Sequence, residues 1–267
     1  MSNSKPLVLL TGASGFIGSR VQELLIERGY RIRAFTRKVN VVFPSPIERF
    51  VGDLTDESAC REATAGVNVV IHLAGAKRDL DSFWPVNVQG TSNLLTSAVD
   101  AGVDRFVHVS SVGVIGADPL RNFVFDENVP CNPRNLYEQS KWEAEKLVLD
   151  AGRDGLAITV LRPANVFGDR HPEQGLLRLI QAVCRGRFAY LGGRDVICNY
   201  VFVEDVAHAI LVLAEHPNAT GRIFHISDSC TLGEFVDAMA AELGVEKPTF
   251  QLPNPLARLV RVALRGV

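Results

Sequence analysis

The sequence predicts an α/β fold, a doubly wound parallel sheet with a smaller C-terminal lobe. Three observations predict it. Short continuous runs of Val, Ile and Leu recur along the first two thirds of the chain; segments of helical period separate them; and a glycine-rich turn, TGASGFIGS at 11–19, joins the first run to the first helical segment. Continuous apolar strands are buried on both faces, which a parallel sheet covered by helices provides. Alternation of strand and helix is the pattern of a doubly wound sheet.

The elements follow in order. LVLL at 7–10 reads as the first strand, 16–28 as a helix and RIRAF at 31–35 as the second strand. IERFV at 47–51, a helix near 57–65 and VVIHLA at 69–74 continue the series, then a long helix from about 84 to 101 and the strand run RFVHVSS at 105–111. A loop through Asn132 leads to a helix over about 135–150 and to the strand AITVLRP at 157–163. Past Gly168 the order loosens: helical periods at 176–184, 206–215 and 232–243 mix with short strands such as NYVFV and RIFHIS. Residues 1–168 are therefore expected to form the nucleotide-binding sheet, a Rossmann fold, and 169–267 a smaller substrate-binding lobe interleaved with its last strands. Ligands of open α/β sheets bind outside the carboxyl ends of the strands, where such a lobe is expected to wall the crevice. The terminal NPLARLVRVALRGV has helical spacing with Arg258, Arg261 and Arg265 between its apolar residues. It reads as a helix packed on the lobe, with a membrane-surface helix or a truncated chain as alternatives.

Composition excludes several classes. The 267 residues are 47% hydrophobic, and 28 Lys and Arg balance 30 Asp and Glu to a formal charge of -2. No basic tract is long enough to follow a phosphate backbone, so nucleic acid is not expected as a partner. The five cysteines are scattered and never form CxxC, as in a protein of the reducing cytoplasm. No apolar run approaches the roughly 20 residues that span a bilayer, and MSNSKPLVLLTG lacks the length and cleavage site of a signal peptide. The six histidines are dispersed, and His72 and His108, within apolar strand runs, read as hydrogen-bonded core residues and not as metal ligands; no metal is expected.

The glycine turn carries the first functional signal. Gly12 permits the tight turn, Gly15 lets backbone approach a pyrophosphate, and Gly18 lets the helix pack closely on the strand. Amides around Ser14, Gly15, Phe16 and Ile17 then face an anion at the helix start. Tyr137 and Lys141, in YEQSK, stand four apart in the predicted 135–150 helix and so share a face. A phenol is a poor base at neutral pH, and a neighbouring ammonium favours the phenolate, so Tyr137 is expected to pass a proton to or from a substrate oxygen. A hydroxyl at the end of RFVHVSS completes the set; Ser110 and Ser111 both qualify by chemistry.

The spacing GxxGxxG resembles the extended short-chain dehydrogenase/reductase superfamily, in its NAD-dependent epimerase/dehydratase branch. Further matches are GDLTD at 52–56, HLAG at 72–75, NVQGT at 87–91, LRPANVFG at 161–168 and NYVFVEDVAHA at 199–209. The resemblance covers about 1–225. It implies that Asp53 and Leu54 meet adenine, that Leu73, Ala74 and Gly75 line the cofactor, and that Asn87, Pro163, Asn165 and Val166 also belong to its site. Asp53 also suits turn closure, Asp56 a helix cap, and Asn87 a bridge to backbone. Counting back from Gly116 in the similar pattern SSxxxYG selects Ser111 as the polarising hydroxyl and leaves Ser110 to backbone or the cofactor side. Lys141 is implied to bond the nicotinamide ribose. Two departures stand out: Ile115 replaces a tyrosine, and Cys198 replaces an arginine that binds diphosphate in sugar-nucleotide enzymes of this branch. Arg194, Arg222 or the arginines of RGR at 185–187 are candidates for that charge.

The second strand ends in FTRK at 35–38, where dinucleotide folds often hold a carboxylate that bonds the ribose 2′-OH. Arg37 and Lys38 favour a 2′-phosphate instead, so NADP is the expected cofactor, with NAD as the alternative. The expected activity is hydride transfer between NADP(H) and a secondary alcohol or ketone, a nucleotide sugar or sterol-like compound among the substrates, by Ser111, Tyr137 and Lys141. The alternatives are a nucleotide-sugar 4-epimerase or dehydratase with tightly held NAD, and a catalytically silent dinucleotide-sensing protein. The helices at 84–101 and 135–150 resemble those that pair in family dimers, which implies a homodimer.

Overall fold

The computed structural model describes residues 5–116, 125–169, 171, 175–191 and 193–252; the expected helix in 254–267 lies outside the described residues. The chain divides into two units. The first takes in the segments 124–168 and 201–226 and the chain before residue 119; the second takes in 169–200 and the chain from 227 onward.

The first unit is built on a seven-stranded sheet in the order β3-β2-β1-β4-β5-β6-β9. Its strands are β1 (Leu7–Thr11), β2 (Arg31–Thr36), β3 (Glu48–Val51), β4 (Val69–His72), β5 (Arg105–Val109), β6 (Ile158–Pro163) and β9 (Arg222–Ile226). Every pairing is parallel. All five residues of β1 are buried, because helices cover both faces of the sheet at its centre. On one face α1 (Phe16–Glu27) and α6 (Val203–Glu215) pack over Val8, Leu10, Ile71 and Val107. On the other, α2 (Glu57–Thr64), α3 (Gly90–Asp100) and α4 (Leu136–Arg153) cover Leu9, Val70, Phe106 and Val160. After β1 the chain builds β2 and β3 to one side, then returns to β4 on the other, so the strand order reverses between β1 and β4. That reversal opens a crevice at the carboxyl ends of β1 and β4.

Among the boundaries that differ from the sequence reading, three bear on the site and its supports. The helix expected over 84–101 is divided: Phe83–Gln89 winds as a wider π-helical turn, in which Gly90 N–H donates to the carbonyl of Pro85, before α3 begins. Pro85 has no N–H for a regular turn. Strand β5 ends at Val109, and Ser111 caps a short 3-10 turn at Val112–Ile115, so the SS pair leaves the strand. Helix α6 starts at Val203, where Glu204 and Asp205 complement its positive end.

Strand β7 (Asn165–Phe167) follows β6. In the second unit α5 (Gly175–Cys184) and α7 (Leu232–Leu243) share an apolar cluster of Val183, Tyr190, Val236 and Ala240. Strand β8 (Ile197–Phe202) runs antiparallel to β10 (Asp228–Thr231). No helix among the described residues is long and apolar enough to cross a membrane, and none of their His, Cys, Asp and Glu gather in threes at metal-binding distance.

Candidate active site

The glycine turn sits in the crevice between β1 and β4. Gly12 has φ +71°, and a Cβ there would stand 2.8 Å from the amide nitrogen of Ala74, so only glycine lets the turn meet the end of β4. A Cβ on Gly18 would fall 2.1 Å from the carbonyl oxygen of Gly12, which explains the close seat of α1. Helix α1 opens at Gly15 with no side-chain cap and no acidic residue in its first turn. The amides of its first turn present positive charge to an anion. The side chain of Ile17 packs on the core behind them.

An open groove of about 250 Å³ extends from this turn. Gly12, Ser14, Gly15, Leu73, Ala74 and Gly75 line it together with Arg37, Lys38, Asp53 and Leu54. Phe35 and Thr36, the first residues of FTRK, and Val86 complete it and were not named as site residues. Asp53 does close its turn, accepting from the amide and hydroxyl of Thr55 at 2.9 Å, while its other oxygen stands 3.9 Å from the guanidinium of Arg37. Arg37 is 64% exposed at its side chain, in reach of a ligand in the groove. These residues fit a dinucleotide: a helix N-terminus for the pyrophosphate, a strand-end pair of cations for the ribose, and an apolar wall of Leu54, Leu73 and Val86. Pro163, Asn165 and Val166 lie outside this groove's lining: Pro163 is buried in β6, and Val166 packs against the core. Asp56 is a helix cap, accepting from the amides of Ser58 and Ala59.

The residues expected to transfer the proton stand at the end of β5 and the start of α4. Asn135 starts α4 by accepting from the amide of Glu138 at 2.9 Å, which places Tyr137 in the first turn and Lys141 one turn later. Phe83 meets the Tyr137 ring edge-on at 5.8 Å between centroids. Lys141 is buried, and its Nζ donates to the carbonyl oxygen of Val109 at 2.9 Å. Burial pulls its pKa down from 10.5 to about 8, against the opposing pull of Glu145. Ser111 Oγ accepts from the amide of Gly113 at 3.1 Å, which leaves its own proton to donate outward. Ser110 Oγ is buried with no hydrogen-bond partner among the described residues, so of the two partners expected for it, backbone or the cofactor side, the backbone bond is not formed.

A polar chain missed by sequence reading links the glycine turn to α4. The amide of Ala74 donates to Thr11 Oγ1 at 3.1 Å, and that hydroxyl pairs with His72 Nδ1 at 2.7 Å. His72 Nε2 pairs with Thr91 Oγ1 at 2.9 Å, and Thr91 donates to the carbonyl of Asn87 at 2.6 Å. Because Thr91 spends its proton on Asn87, it accepts from His72, which is therefore neutral with its proton on Nε2. Desolvation and the Lys141 charge push the pKa of His72 down to about 3. The Asn87 side chain bridges backbone at Ala76 in both directions and donates to Ser140 Oγ at 2.9 Å; Ser140 in turn donates to the carbonyl of Tyr137. His72 is thus the hydrogen-bonded core histidine that was expected. His108 is not: both its ring nitrogens are buried without partners among the described residues.

Beneath α4, the buried Arg162 guanidinium holds the buried Glu145 carboxylate, with Nε 3.1 Å from both oxygens. Removing one partner of such a pair strands a buried charge, at a cost of about 3–5 kcal/mol. In the second unit, Arg194 is engaged by Asp237 at 2.8 Å, the Tyr190 hydroxyl and the Pro248 carbonyl, so its charge is already met within that unit. Arg222 lies over the ring of Phe224.

Against known proteins, a model of the NAD dependent epimerase/dehydratase family matches residues 8–227. The chain is 30% identical over 261 residues to the N-acetyl-alpha-D-glucosaminyl-diphospho-ditrans,octacis-undecaprenol 4-epimerase of Escherichia coli O157:H7, covering 94% of this chain and 77% of that protein. It is 31% identical over 276 residues to the 3 beta-hydroxysteroid dehydrogenase/Delta 5-->4-isomerase of Mycobacterium tuberculosis strain H37Rv, covering 95% of this chain and 74% of that protein. Among solved structures, the UDP-glucose 4-epimerase of Thermus thermophilus in complex with NAD superposes with a TM-score of 0.75 at 26% identity, over 92% of this chain and 86% of that one.

Proposed function

From the premise that this chain belongs to the NAD dependent epimerase/dehydratase family of the extended short-chain dehydrogenases, we propose that it transfers hydride between NADP(H) and a secondary alcohol or ketone. The observation that carries this reading is the arrangement at the end of β5, where Ser111 keeps a free proton and Lys141 is buried one turn beyond Tyr137. When bound, the nicotinamide supplies or accepts the hydride. Tyr137 donates a proton to the substrate oxygen in reduction and takes it back in oxidation. Ser111 donates a hydrogen bond to the same oxygen and holds it for Tyr137. The Lys141 ammonium favours the phenolate and meets the cofactor ribose. Arg37 and Lys38 pair with a ribose 2′-phosphate, which underlies the preference for NADP over NAD.

Two kinds of relative support the substrate class, one acting on a steroid alcohol and one on a diphosphate-linked sugar. Arg194 is consumed by Asp237 and Cys198 carries no charge, so an uncharged, sterol-like ketone is favoured over a sugar diphosphate. A panel of ketosteroids and keto sugars followed by NADPH absorbance under single-turnover conditions tests this reading; no consumption with any member overturns it. The second reading, a 4-epimerase with held NAD, rests on the E. coli and T. thermophilus similarities. It predicts isomerisation of a UDP-hexose without added coenzyme. A homodimer through α3 and α4 belongs to the same proposal: a cavity of about 660 Å³ there is lined by Leu95, Val99 and Leu147, and Val99 is exposed. Light scattering that returns a monomer at micromolar concentration removes that part.

A further inference from the structure

In the second unit the antiparallel register sets Cys230 of β10 directly opposite Cys198 of β8. Two residues further along, the amide of Leu232 donates to the carbonyl of Val196 at 2.7 Å, so the alternation of the ladder makes Cys198 and Cys230 a hydrogen-bonded pair. Such pairs hold their Cα atoms about 5.5 Å apart with both side chains on one face, within the roughly 4.4–6.8 Å that a disulfide spans. Both residues are partly buried. Tyr200, two residues from Cys198 and so on the same face, feels the charge of both sulfurs, and its ring is stacked on Phe235 at 4.7 Å. The remaining cysteines are placed otherwise: Cys60 is buried, Cys131 accepts from Arg162, and Cys184 is exposed.

We propose that Cys198 and Cys230 are a dithiol that closes to a cross-strand disulfide when it meets a low-molecular-weight disulfide. One thiolate attacks the oxidant, forming a mixed disulfide and releasing one small thiolate; the second thiolate then attacks the protein sulfur and releases the other. The two S–H protons pass by way of solvent to the two released thiolates, two electrons reduce the oxidant to two thiols, one S–S bond of the oxidant breaks and one in the protein forms. Burial holds both thiols above their ordinary pKa, helped by Cys230 at Cys198 and by Glu234 and Asp228 at Cys230. The pair is therefore protonated at neutral pH and closes slowly, faster as pH rises. The bond encloses the stretch that leaves the second unit after residue 200 and re-enters it at 227.

The test is treatment of the native, intact chain with glutathione disulfide, alkylation of remaining thiols, and mass spectrometry of the whole protein and its tryptic peptides. The expected product is a single chain lighter by two hydrogen atoms, with three alkylated cysteines and a link between peptide 195–222 and the peptide that begins at Ile223. Its rate of formation should rise about tenfold per pH unit between pH 7 and 8.5. Cys198→Ser and Cys230→Ser should each stop at a glutathione adduct, and Cys184→Ser should leave closure intact. Five alkylated thiols after oxidation, or a link that joins another pair or two chains, overturns the proposal; this readout on the unmodified chain holds even if a variant fails to fold.

Discussion

Lys141 Nζ donates to the carbonyl oxygen of Val109 at 2.9 Å, and this one bond fastens helix α4 to the end of β5, where the serine pair begins. The lysine's folded pKa of about 8 lies below its unfolded value near 10.5, so between these values the unfolded chain binds more protons and stability rises with pH. Below about pH 8 the buried charge costs about 3 kcal/mol. Lys141→Met removes that cost and leaves the Val109 carbonyl unpaired, two changes of opposite sign and similar size. Urea unfolding at pH 7 should show stability within about 1 kcal/mol of the parent, while turnover falls at least about 100-fold. The parent should then gain on the Met variant between pH 8 and 10.5.

His72 makes a second pH dependence. Its folded pKa of about 3 lies below the ordinary 6.5, so the unfolded chain binds the extra proton between these values and stability is lost as pH falls through the window. At pH 5 the loss from this residue is about 2 kcal/mol relative to pH 7.5. Urea titrations at the two pH values should show it, and His72→Gln, which keeps one donor and one acceptor, should reduce the difference by that amount. An unchanged difference would show that His72 titrates normally.

Arg37 stands 3.9 Å from Asp53 and 64% exposed at the rim of the groove. Arg37→Ala should raise the dissociation constant of NADPH at least about tenfold, equivalent to about 1.4 kcal/mol, with little change for NADH. Isothermal titration with both coenzymes measures it, and equal losses would remove the selectivity argument.

What was legible in the sequence was what is local. TGASGFIGS carries its turn, its close approach and its helix start within nine residues, and Gly12 and Gly18 meet the contacts their motif implies. The Tyr137 and Lys141 spacing survives because a helix fixes it and Asn135 caps that helix. The break at Phe83–Gln89 was hidden by apolar periodicity that runs through Pro85 into α3. The bonds from Thr11 to His72 and from His72 to Thr91 were not legible, since β1 and β4 bring together residues 61 apart and the crossover from β4 to α3 brings together residues 19 apart. Arg162 was likewise read only as part of LRPANVFG and Glu145 was not singled out, and only the packing of α4 on β6 makes them a pair.

The central claim is that hydride passes between cofactor and substrate with Tyr137 as the proton carrier. Its most direct test follows deuterium from [4-2H]NADPH, in both stereochemical forms, into the alcohol formed from a reactive ketone, with the parent protein and with Tyr137→Phe. One labelled form should deliver deuterium to the product carbon of the parent protein, and the variant should bind NADPH as tightly yet transfer label at least about 100-fold more slowly. Product without label from either form, or equal transfer by the Phe variant, would contradict the account.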